Sequence, residues 1–400
     1  MTRTDDRSTN HSLVALRRTL HRRPELRFEE HATARLLGDR LAAAGFDIVA
    51  GIGRTGLTAS LGDRASRPHV VVRADMDALP TSDLTGREYA SEVSGIAHAC
   101  GHDVHMAIVT GVGEQLAADG ELAGRLTLLF QPAEEIPFGE ESGARAMLDA
   151  GVFDDPVDAI IGLHCWPDLP AGTIGLDERV AMAAKDAFRI RMHGSAAHAA
   201  TPSGGTDAIL AASQLVVALH HLVGREVDAD ERVALNVGTI RGGASQSIVP
   251  AEAEITGTIR SVEPHTRMRM RAAVERVAAA AAALVGARVD VEWANEMPPV
   301  LNDPRLLGAA RHILPEVLEP DGLRSLGGPP MTADDFALFA ERVPGLYLKL
   351  GVAEPGATAW PSLHDGRFDI DERAIDVGVT SLATLARHLL AGGNPEVTAR

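Results

Sequence analysis

Short apolar runs alternate with stretches of helical periodicity over most of the chain. Runs typical of buried strands lie at residues 69–73, 125–130, 159–163 and 346–350. Helical spacing of apolar positions predicts helices at 11–22, 28–44, 104–119 and 141–150. This alternation is typical of an α/β domain with a mixed sheet and helices on both faces.

The middle of the chain has a different order of elements. Its patterns predict, in chain order, a strand at 186–192, a helix at 207–223, strands at 232–240 and 252–260, a helix at 264–285 and a strand at 288–293. The order β-α-β-β-α-β is typical of a ferredoxin-like unit. We therefore predict an α/β domain formed by residues 1–183 and 296–400, with a ferredoxin-like domain inserted at 184–295.

Charge narrows the possible partners. The chain has 400 residues with 55 acidic and 38 basic side chains, which gives a formal net charge of −17. Such an acidic protein repels nucleic acid and anionic membranes, so we expect neither as a partner. We also find no run of about 18 apolar residues and expect no helix that spans a bilayer.

The N-terminus and the cysteines bear on location. The first ten residues are polar, lack the apolar core of a signal peptide and are expected to be disordered. Two cysteines argue against a disulfide framework and fit a reducing compartment, so we predict a cytoplasmic protein. The chain contains only two lysines, Lys185 and Lys349, which we attribute to the base composition of the genome.

Polar residues of metal-ligand type follow three of the predicted strands. Asp75 and Asp77 follow the first strand, Glu134 and Glu135 the second, and His164 the third. Because α/β sheets bind ligands beyond the carboxyl ends of their strands, we expect these side chains to meet in one cleft.

A further group, Cys100, His102 and Asp103, directly precedes a predicted helix. Thiolate and imidazole are good ligands for zinc and other divalent metals, and a helix start favours thiolate over thiol. In isolation, a Cys-x-His pair is more often a buried cysteine beside a surface histidine, and Asp103 can be a helix N-cap. Single histidines such as His164 and His364 are likewise more often hydrogen-bonding groups than ligands.

The adjacent carboxylates of Glu134 and Glu135 can divide two tasks. Neighbouring side chains on an extended segment point in opposite directions, so one can bind metal while the other takes a proton from water. An acidic pair alone is equally typical of a charged loop. Taken together, however, five donors are available, enough for two divalent ions if one donor bridges them: Cys100, His102, Glu135, His164 and His364. We therefore predict a two-metal hydrolytic site with Glu134 as its general base.

Several motifs occur in an order that is specific for one family. The chain reads His-Ala-Cys-Gly-His-Asp at 98–103, Gln-Pro-Ala-Glu-Glu at 131–135 and Gly-Thr-Ile-Arg at 257–260. From about residue 12 to 390 it resembles the hippurate hydrolase and auxin-conjugate hydrolase type of metallo-amidohydrolase, a branch of the aminoacylase and carboxypeptidase G superfamily. The resemblance implies a catalytic domain with a dinuclear metal site and an inserted lid or dimerisation domain.

The resemblance also implies roles for individual residues. The general base of the family matches Glu134. Its metal ligands match Cys100, His102, Glu135, His164 and His364. His198 matches a lid histidine that polarises the scissile carbonyl and comes from the partner subunit in dimeric relatives, although alone it is also consistent with a plain loop residue. Arg260 matches an arginine that helps to bind the substrate carboxylate. We expect Asp77 and Asp103 to orient the metal-binding residues without contacting the metal themselves. Asp75 is not counted as a ligand.

Three positions depart from the pattern of the family. Ser247 stands where relatives usually carry Asn, Ser203 where many carry His, and Asp334 where they usually carry Glu. The first two lie on the side that recognises the substrate carboxylate. The departures therefore bear on the substrate and leave the hydrolytic chemistry intact.

The leading hypothesis is metal-dependent hydrolysis of the amide bond in N-acyl amino acids or related conjugates to a carboxylic acid and a free amine. It implies two divalent ions per subunit, Zn²⁺ or Mn²⁺, a small-molecule substrate, and a homodimer or higher homo-oligomer. One alternative is a dipeptidase or carboxypeptidase with the same machinery. Another is a non-catalytic binding protein that retains the fold and the metal.

Overall fold

The structure, a computed structural model, describes residues 4–393. Its strands are β1 (Asp47–Ile52), β2 (Gly56–Leu61), β3 (His69–Asp75), β4 (Arg125–Gln131), β5 (Ala159–Pro170), β6 (Ile174–Gly175), β7 (Val180–Met182), β8 (Ala184–His193), β9 (Val233–Gly242), β10 (Glu252–Ser261), β11 (Arg288–Met297), β12 (Val300–Leu301), β13 (Leu323–Arg324) and β14 (Gly345–Ala353). Its α-helices are α1 (Thr4–Arg22), α2 (His31–Ala43), α3 (His102–Ala118), α4 (Gly143–Asp149), α5 (Ala208–Glu226), α6 (Pro264–Val285), α7 (Pro304–Val317), α8 (Phe336–Ala340) and α9 (Ala374–Leu390). A 3₁₀ turn spans Pro202–Gly204.

The larger sheet has the strand order β1-β2-β4-β3-β5-β14-β6-β13. β3 pairs in parallel with β4 and β5, and β14 pairs in parallel with β5. The pairs β1–β2, β2–β4 and β6–β14 are antiparallel, so the sheet is mixed, as the sequence predicts. The central strands β3 and β14 are buried along their whole length, which explains their continuous apolar runs.

Each face of the larger sheet has its own hydrophobic core. Val70 and Val72 of β3 pack in a core shared with α1, α3, α7 and α9. Val71, between them, packs on the opposite face with Met147 of α4 and Phe339 of α8. Alternate side chains of a strand point to opposite faces, so helices cover both sides of the sheet.

The inserted elements form a second sheet with a separate core. Its strand order is β11-β8-β10-β9, and all neighbouring pairs are antiparallel. α5 and α6 cover one face, where Phe188, Ile190 and Met192 of β8 are fully buried. The alternate residues of β8, beginning with Lys185, lie on the helix-free face. The order of elements is the one that the sequence predicts, and the domain limits at 184–295 stay a prediction.

Three local predictions differ from the structure. α1 begins at Thr4, so the disorder predicted for residues 4–10 is wrong, because a polar helical segment carries no apolar periodicity that would predict it; residues 1–3 lie outside the described residues. α2 begins at His31, because Phe28 has a φ of 56°, outside the right-handed helical region. β5 continues to Pro170, which places His164 inside the strand rather than after it.

One helix differs from the expectation about membranes. Within residues 4–393, α5 is the one helix that is long and apolar enough to cross a bilayer. It packs against β9 and β10 of the smaller sheet. Because a helix that packs on a sheet meets the same criteria, α5 by itself is weak evidence for a membrane span.

Candidate metal centre

The predicted metal donors and Glu134 lie at one edge of the larger sheet. β3, β4 and β5 are parallel, so their carboxyl ends meet there. Asp75 ends β3, Glu134 follows β4, and His164 lies in β5. α3 begins at His102 at this edge, and the loop between β14 and α9 brings His364 to it.

The structure brings the five predicted metal donors together. Sγ of Cys100 lies 3.5 Å from Nε2 of His164 and 3.3 Å from Nε2 of His364. Nε2 of His364 lies 2.8 Å from Oε1 of Glu135. Ligand atoms lie within 4.8 Å of one another in each of three groups: Cys100 with His102 and His164, Cys100 with Glu135 and His364, and His102 with Glu134 and Glu135. The groups share members, so the donors form one continuous cluster.

Two histidines of the cluster are oriented by a hydrogen bond from Nδ1, which leaves Nε2 facing the other donors. Nδ1 of His102 donates to the carbonyl oxygen of Asp77, and Nδ1 of His164 donates to the carbonyl oxygen of Cys165, both at 2.8 Å. A carbonyl oxygen only accepts, so in the neutral rings Nε2 carries a lone pair. Nε2 of His102 is buried and has no hydrogen-bond partner among the described residues. Each ring therefore presents Nε2 as a ligand atom, as metal-binding histidines do.

The carboxylate of Asp77 binds the backbone of the two adjacent glutamates. Its Oδ1 accepts the backbone N–H of Glu134 at 3.0 Å, and its Oδ2 accepts the backbone N–H of Glu135 at 2.9 Å. Oδ1 also lies 3.3 Å from Nδ1 of His102. One carboxylate thus contacts the backbone of both glutamates and the ring of one histidine, and its support of the metal ligands stays a prediction.

His105 lies beside the donors but both of its ring nitrogens are engaged. The backbone N–H of Cys165 donates to Nε2 of His105 at 2.9 Å, so the ring proton is on Nδ1. Nδ1 donates to Oδ1 of Asp75 at 2.6 Å, and Oδ2 of Asp75 accepts from Nη1 of Arg73 at 2.7 Å. Oδ2 of Asp75 also lies 3.6 Å from Nε2 of His102, and the exclusion of Asp75 from the metal ligands stays a prediction.

Glu134 lies among other carboxylates. Carboxylate oxygens of Glu134, Asp334 and Asp335 lie within 4.8 Å of one another. Burial raises the pKa of Glu134 well above its ordinary value, and the charge of Glu135 raises it further. Nη2 of Arg73 donates to both Asp334 and Asp335 at 3.2 Å and offsets part of this negative charge.

The donor set fits divalent cations. Burial raises the pKa of the Cys100 thiol and the charge of Glu135 raises it further, so a thiolate here requires a positive neighbour and not only the helix start. Burial lowers the pKa of His102, but Asp75 and Asp77 outweigh this effect and raise it to about 10. The surroundings thus favour a positive charge at Nε2, which a metal ion can supply in place of a proton. Thiolate, imidazole and carboxylate are all ligands of first-row divalent metals.

Strained backbone flanks the cluster on two sides. Ala133 has a φ of 48° and His364 a φ of 69°, in the left-handed region that non-glycine residues rarely adopt. Ala133 directly precedes Glu134, and the backbone N–H of His364 donates to the carbonyl of Ala99 at 2.8 Å. Such strain is typical of functional sites, where the surrounding structure holds a side chain in position.

Asp103 contacts α1 and not the donors. The N-cap of α3 is Gly101, so the interpretation of Asp103 as an N-cap is wrong. Oδ2 of Asp103 accepts from Nε of Arg17 and from Nδ1 of His21, each at 2.8 Å. These buried contacts tie α1 to the start of α3. Support of the metal ligands by Asp103 stays a prediction.

The two lid residues of the predicted site lie outside the cluster. His198 is exposed in the segment after β8, and its Nδ1 accepts the backbone N–H two residues later at 3.0 Å. Arg260 is half-buried near the end of β10, and its Nη1 donates to the carbonyl of Met331 at 2.8 Å. Ser203 and Ser247 are exposed.

Two basic residues near the carboxylates are absent from the predicted site. Arg73 is fully buried beneath the acidic groups. Lys185 is half-buried on β8, near enough to Glu134 and Glu135 for their charges to affect its pKa. The one sequence signal for Lys185 is its rarity, since arginine occupies nearly all other basic positions.

A family model described as Peptidase family M20/M25/M40 matches residues 71–388. The chain belongs to this family. The N-acetyl-L-cysteine deacetylase of Bacillus subtilis is 36% identical over 380 residues, which cover 94% of this chain and 88% of the relative. The thermostable carboxypeptidase 2 of Saccharolobus solfataricus is 32% identical, with 94% of each chain covered. The IAA-amino acid hydrolase ILR1-like 4 of Arabidopsis thaliana is 31% identical, with 94% of this chain and 86% of the relative covered.

Solved structures of the family share the fold. A dinuclear metal-binding peptidase of the M20 family from Bacillus subtilis superposes with a TM-score of 0.82 at 33% identity, covering 96% of this chain and 99% of that one. A putative aminohydrolase from methicillin-resistant Staphylococcus aureus gives a TM-score of 0.89 at 27% identity, covering 96% and 98%. The chain is thus an amidohydrolase of a family that binds divalent metals, which confirms the predicted superfamily and disfavours a non-catalytic binding protein. These similarities do not distinguish the hippurate and auxin-conjugate hydrolase branch from the other branches of the family.

Proposed function

We propose that this enzyme hydrolyses the amide bond of N-acyl amino acids or related conjugates to a carboxylic acid and a free amine. One observation carries the proposal: five donors from separate parts of the chain form a continuous cluster with Glu134 at its side. We assign two divalent ions to Cys100, His102, Glu135, His164 and His364. Cys100, His102 and Glu135 each belong to two of the three groups, so the groups overlap at these donors.

The protein groups around the cluster divide the work of hydrolysis. Ions bound there would supply a lowered water pKa and stabilisation of negative charge on the amide oxygen. The Glu134 carboxylate takes a proton from the attacking water and later delivers it to the leaving nitrogen. Asp77 holds the peptide units of Glu134 and Glu135 and so keeps the base and a ligand in register. Glu134 is buried, which shields its carboxylate from bulk water.

His198 and Arg260 are proposed to act on the substrate. Nδ1 of His198 accepts a hydrogen bond, so in the neutral ring Nε2 carries the proton and can donate to the amide oxygen. Because His198 is exposed and outside the cluster, we propose that it serves the site of the partner subunit. Arg260 would bind the substrate carboxylate with the guanidinium nitrogens that the carbonyl of Met331 leaves free.

A homodimer formed by the inserted elements, here proposed as a lid and dimerisation domain, supports this role of His198. β9 is an edge strand of the smaller sheet, and α5 packs beside it. The outer side of α5 exposes Ile209, Leu210 and Val217. An open edge beside exposed apolar side chains favours association with a second copy.

The metal and the location are also proposals. A thiolate ligand favours Zn²⁺, whereas the imidazole and carboxylate ligands suit Mn²⁺ equally well, so we propose one of these two. A cytoplasmic location remains the prediction from the two cysteines.

A dipeptidase or carboxypeptidase is the second candidate. It is supported by the 32% identity to a relative named thermostable carboxypeptidase 2. Hydrolysis of hippurate, N-acetyl amino acids and dipeptides by the metal-loaded enzyme separates the two candidates, since the catalytic groups are shared and only the acyl pocket differs.

The decisive experiment removes the metal and the base in turn. Chelator-treated enzyme is expected to lose amidase activity and to regain it with Mn²⁺ or Zn²⁺. Glu134→Gln is expected to bind metal normally but to turn over at least about 10²-fold more slowly. Glu121→Gln, on an exposed residue after α3, is the matched control and should keep normal turnover. Near-normal turnover by Glu134→Gln would falsify the assignment of the base.

A further inference from the structure

Lys185 is a half-buried cation without a carboxylate partner. Within the described chain, no Asp or Glu oxygen lies within 4.0 Å of its ammonium group, whereas the other lysine, Lys349, is paired with Asp177. Further along the same face of β8, after Ala187, Arg189 and Arg191 are paired with glutamates of the neighbouring strands. A buried charge without a partner costs stability, so its retention calls for a ligand of opposite charge.

A second unneutralised cation lies directly opposite. Lys185 of β8 pairs in register with Arg260 of β10, on the helix-free face of the smaller sheet. Directly opposite side chains have Cβ atoms about 5 Å apart, and like charges in such a pair are destabilising. Arg260 donates to a neutral carbonyl and has no carboxylate within 4.0 Å among the described residues. The two cations therefore form a site with two unbalanced positive charges.

This face of the smaller sheet lies over the segment that follows the metal cluster. The guanidinium of Arg189 stacks on the ring of Phe138 at 4.3 Å from its centroid. Asn295 of β11 accepts the backbone N–H of Gly139 at 2.9 Å and donates to the carbonyl of Pro137 at 2.8 Å. Phe138 is three residues after Glu135, and Lys185 is near enough to Glu134 and Glu135 for their charges to act on it, so this face lies near the proposed catalytic groups.

We infer that Lys185 is a specificity-determining residue that binds a second carboxylate of the substrate. The inference rests on the proposed function. It assigns N-acylated acidic amino acids, N-acylaspartate or N-acylglutamate, as the preferred substrate class. The α-carboxylate binds Arg260 and the side-chain carboxylate binds Lys185, which together neutralise the pair.

The test compares isosteric substrates that differ only in the second charge. For the metal-loaded wild type, we expect kcat/KM for N-acetylglutamate to exceed that for N-acetylglutamine roughly ten- to hundred-fold, the value of a charge-assisted contact. Lys185→Met should reduce this ratio to near unity, and Lys185→Arg should retain most of it. Arg288→Met, which removes an exposed cation from the far end of the same face, is the matched control and should keep the wild-type ratio.

Binding provides a readout that does not need turnover. Calorimetric titration of Glu134→Gln with the two compounds should show the same preference, and the Glu134→Gln/Lys185→Met double variant should lose it. A ratio that Lys185→Met leaves unchanged overturns the inference. An equal loss for both compounds also overturns it, because Lys185 would then share the α-carboxylate. Failure of the wild type to hydrolyse any amide would contradict the proposed function instead, and the calorimetric comparison would still decide the role of Lys185.

Discussion

The carbonyl oxygen of Asp77 accepts the Nδ1 proton of His102 at 2.8 Å, and the same residue accepts two peptide N–H groups through its carboxylate. We expect Asp77→Asn to weaken metal affinity about ten- to hundred-fold, because its amide group places a donor against one of those N–H groups. Competition with a chromophoric chelator measures the affinity. Asp168→Asn, at an exposed position of β5, is the control, and equal affinity of the two variants would contradict the supporting role of Asp77.

Arg73 offsets the charge of three buried carboxylates, so replacing it with a neutral residue should destabilise the fold. It donates to Asp75, Asp334 and Asp335, and all four side chains are buried. We expect Arg73→Met to lower the free energy of unfolding by about 3–5 kcal/mol, because it leaves buried charges uncompensated. Arg64→Met removes an exposed ion pair and should leave the urea midpoint nearly unchanged. Similar midpoints for the two variants would argue against this balance of charge.

His21 should stabilise the fold most at low pH. Burial lowers its pKa, but contacts with Asp103 and Asp83 outweigh this effect and the net pKa is raised. A raised pKa in the folded state means that the contribution is fully present below about pH 6.5 and is lost as pH rises through the folded value. The difference in unfolding free energy between wild type and His21→Gln should therefore shrink from pH 6 to pH 9 in urea titrations.

His69 should show the opposite dependence and serves as the matched comparison. Burial lowers its pKa, and its ring lies between the carbonyl of Pro156 and the hydroxyl of Thr127. The folded state then binds the proton less tightly, so wild type loses stability relative to His69→Gln as pH falls below about 6.5. Slopes of the same sign for the two histidines would mean that at least one assignment is wrong.

The proposed dimer can be tested on the outer side of α5. Val217→Asp places a charge among exposed apolar side chains and is expected to convert a dimer into monomers in sedimentation experiments. Leu284→Asp, at an exposed position of α6 near the opposite strand of the sheet, should leave the dimer intact. Persistence of the dimer in Val217→Asp would exclude this face as the interface.

The sequence predicts the elements well where burial imposes a simple pattern. β3 and β14 are buried on both faces, so their apolar runs are continuous and easy to recognise. The polar first turns of α1 carry no such pattern, which is why the predicted helix starts late. The sequence also predicts β5 too short, because Trp166 and the prolines after it do not continue the apolar run.

The site is predictable from motifs only as far as residue types go. Cys100, His102 and Glu135 stand in recognisable segments, but nothing local separates His102 from His105 three residues later. The structure separates them through hydrogen bonds from distant residues, since the N–H of Cys165 occupies the nitrogen of His105 that a ligand would need. The partners of Asp103 are equally remote in sequence, because Arg17 lies on a different helix. The position of Lys185 opposite Arg260 could not be predicted from the sequence, because it depends on the register between β8 and β10.

The position of β14 has a consequence for how the protein is made. β14 pairs between β5 and β6 in the middle of the larger sheet, and His364 follows it late in the chain. While the ribosome is still translating the second half, β5 has one open edge and the cluster lacks a donor. A nascent chain therefore cannot complete the proposed metal cluster before His364 has been translated, and fragments that end before β14 should be prone to aggregation.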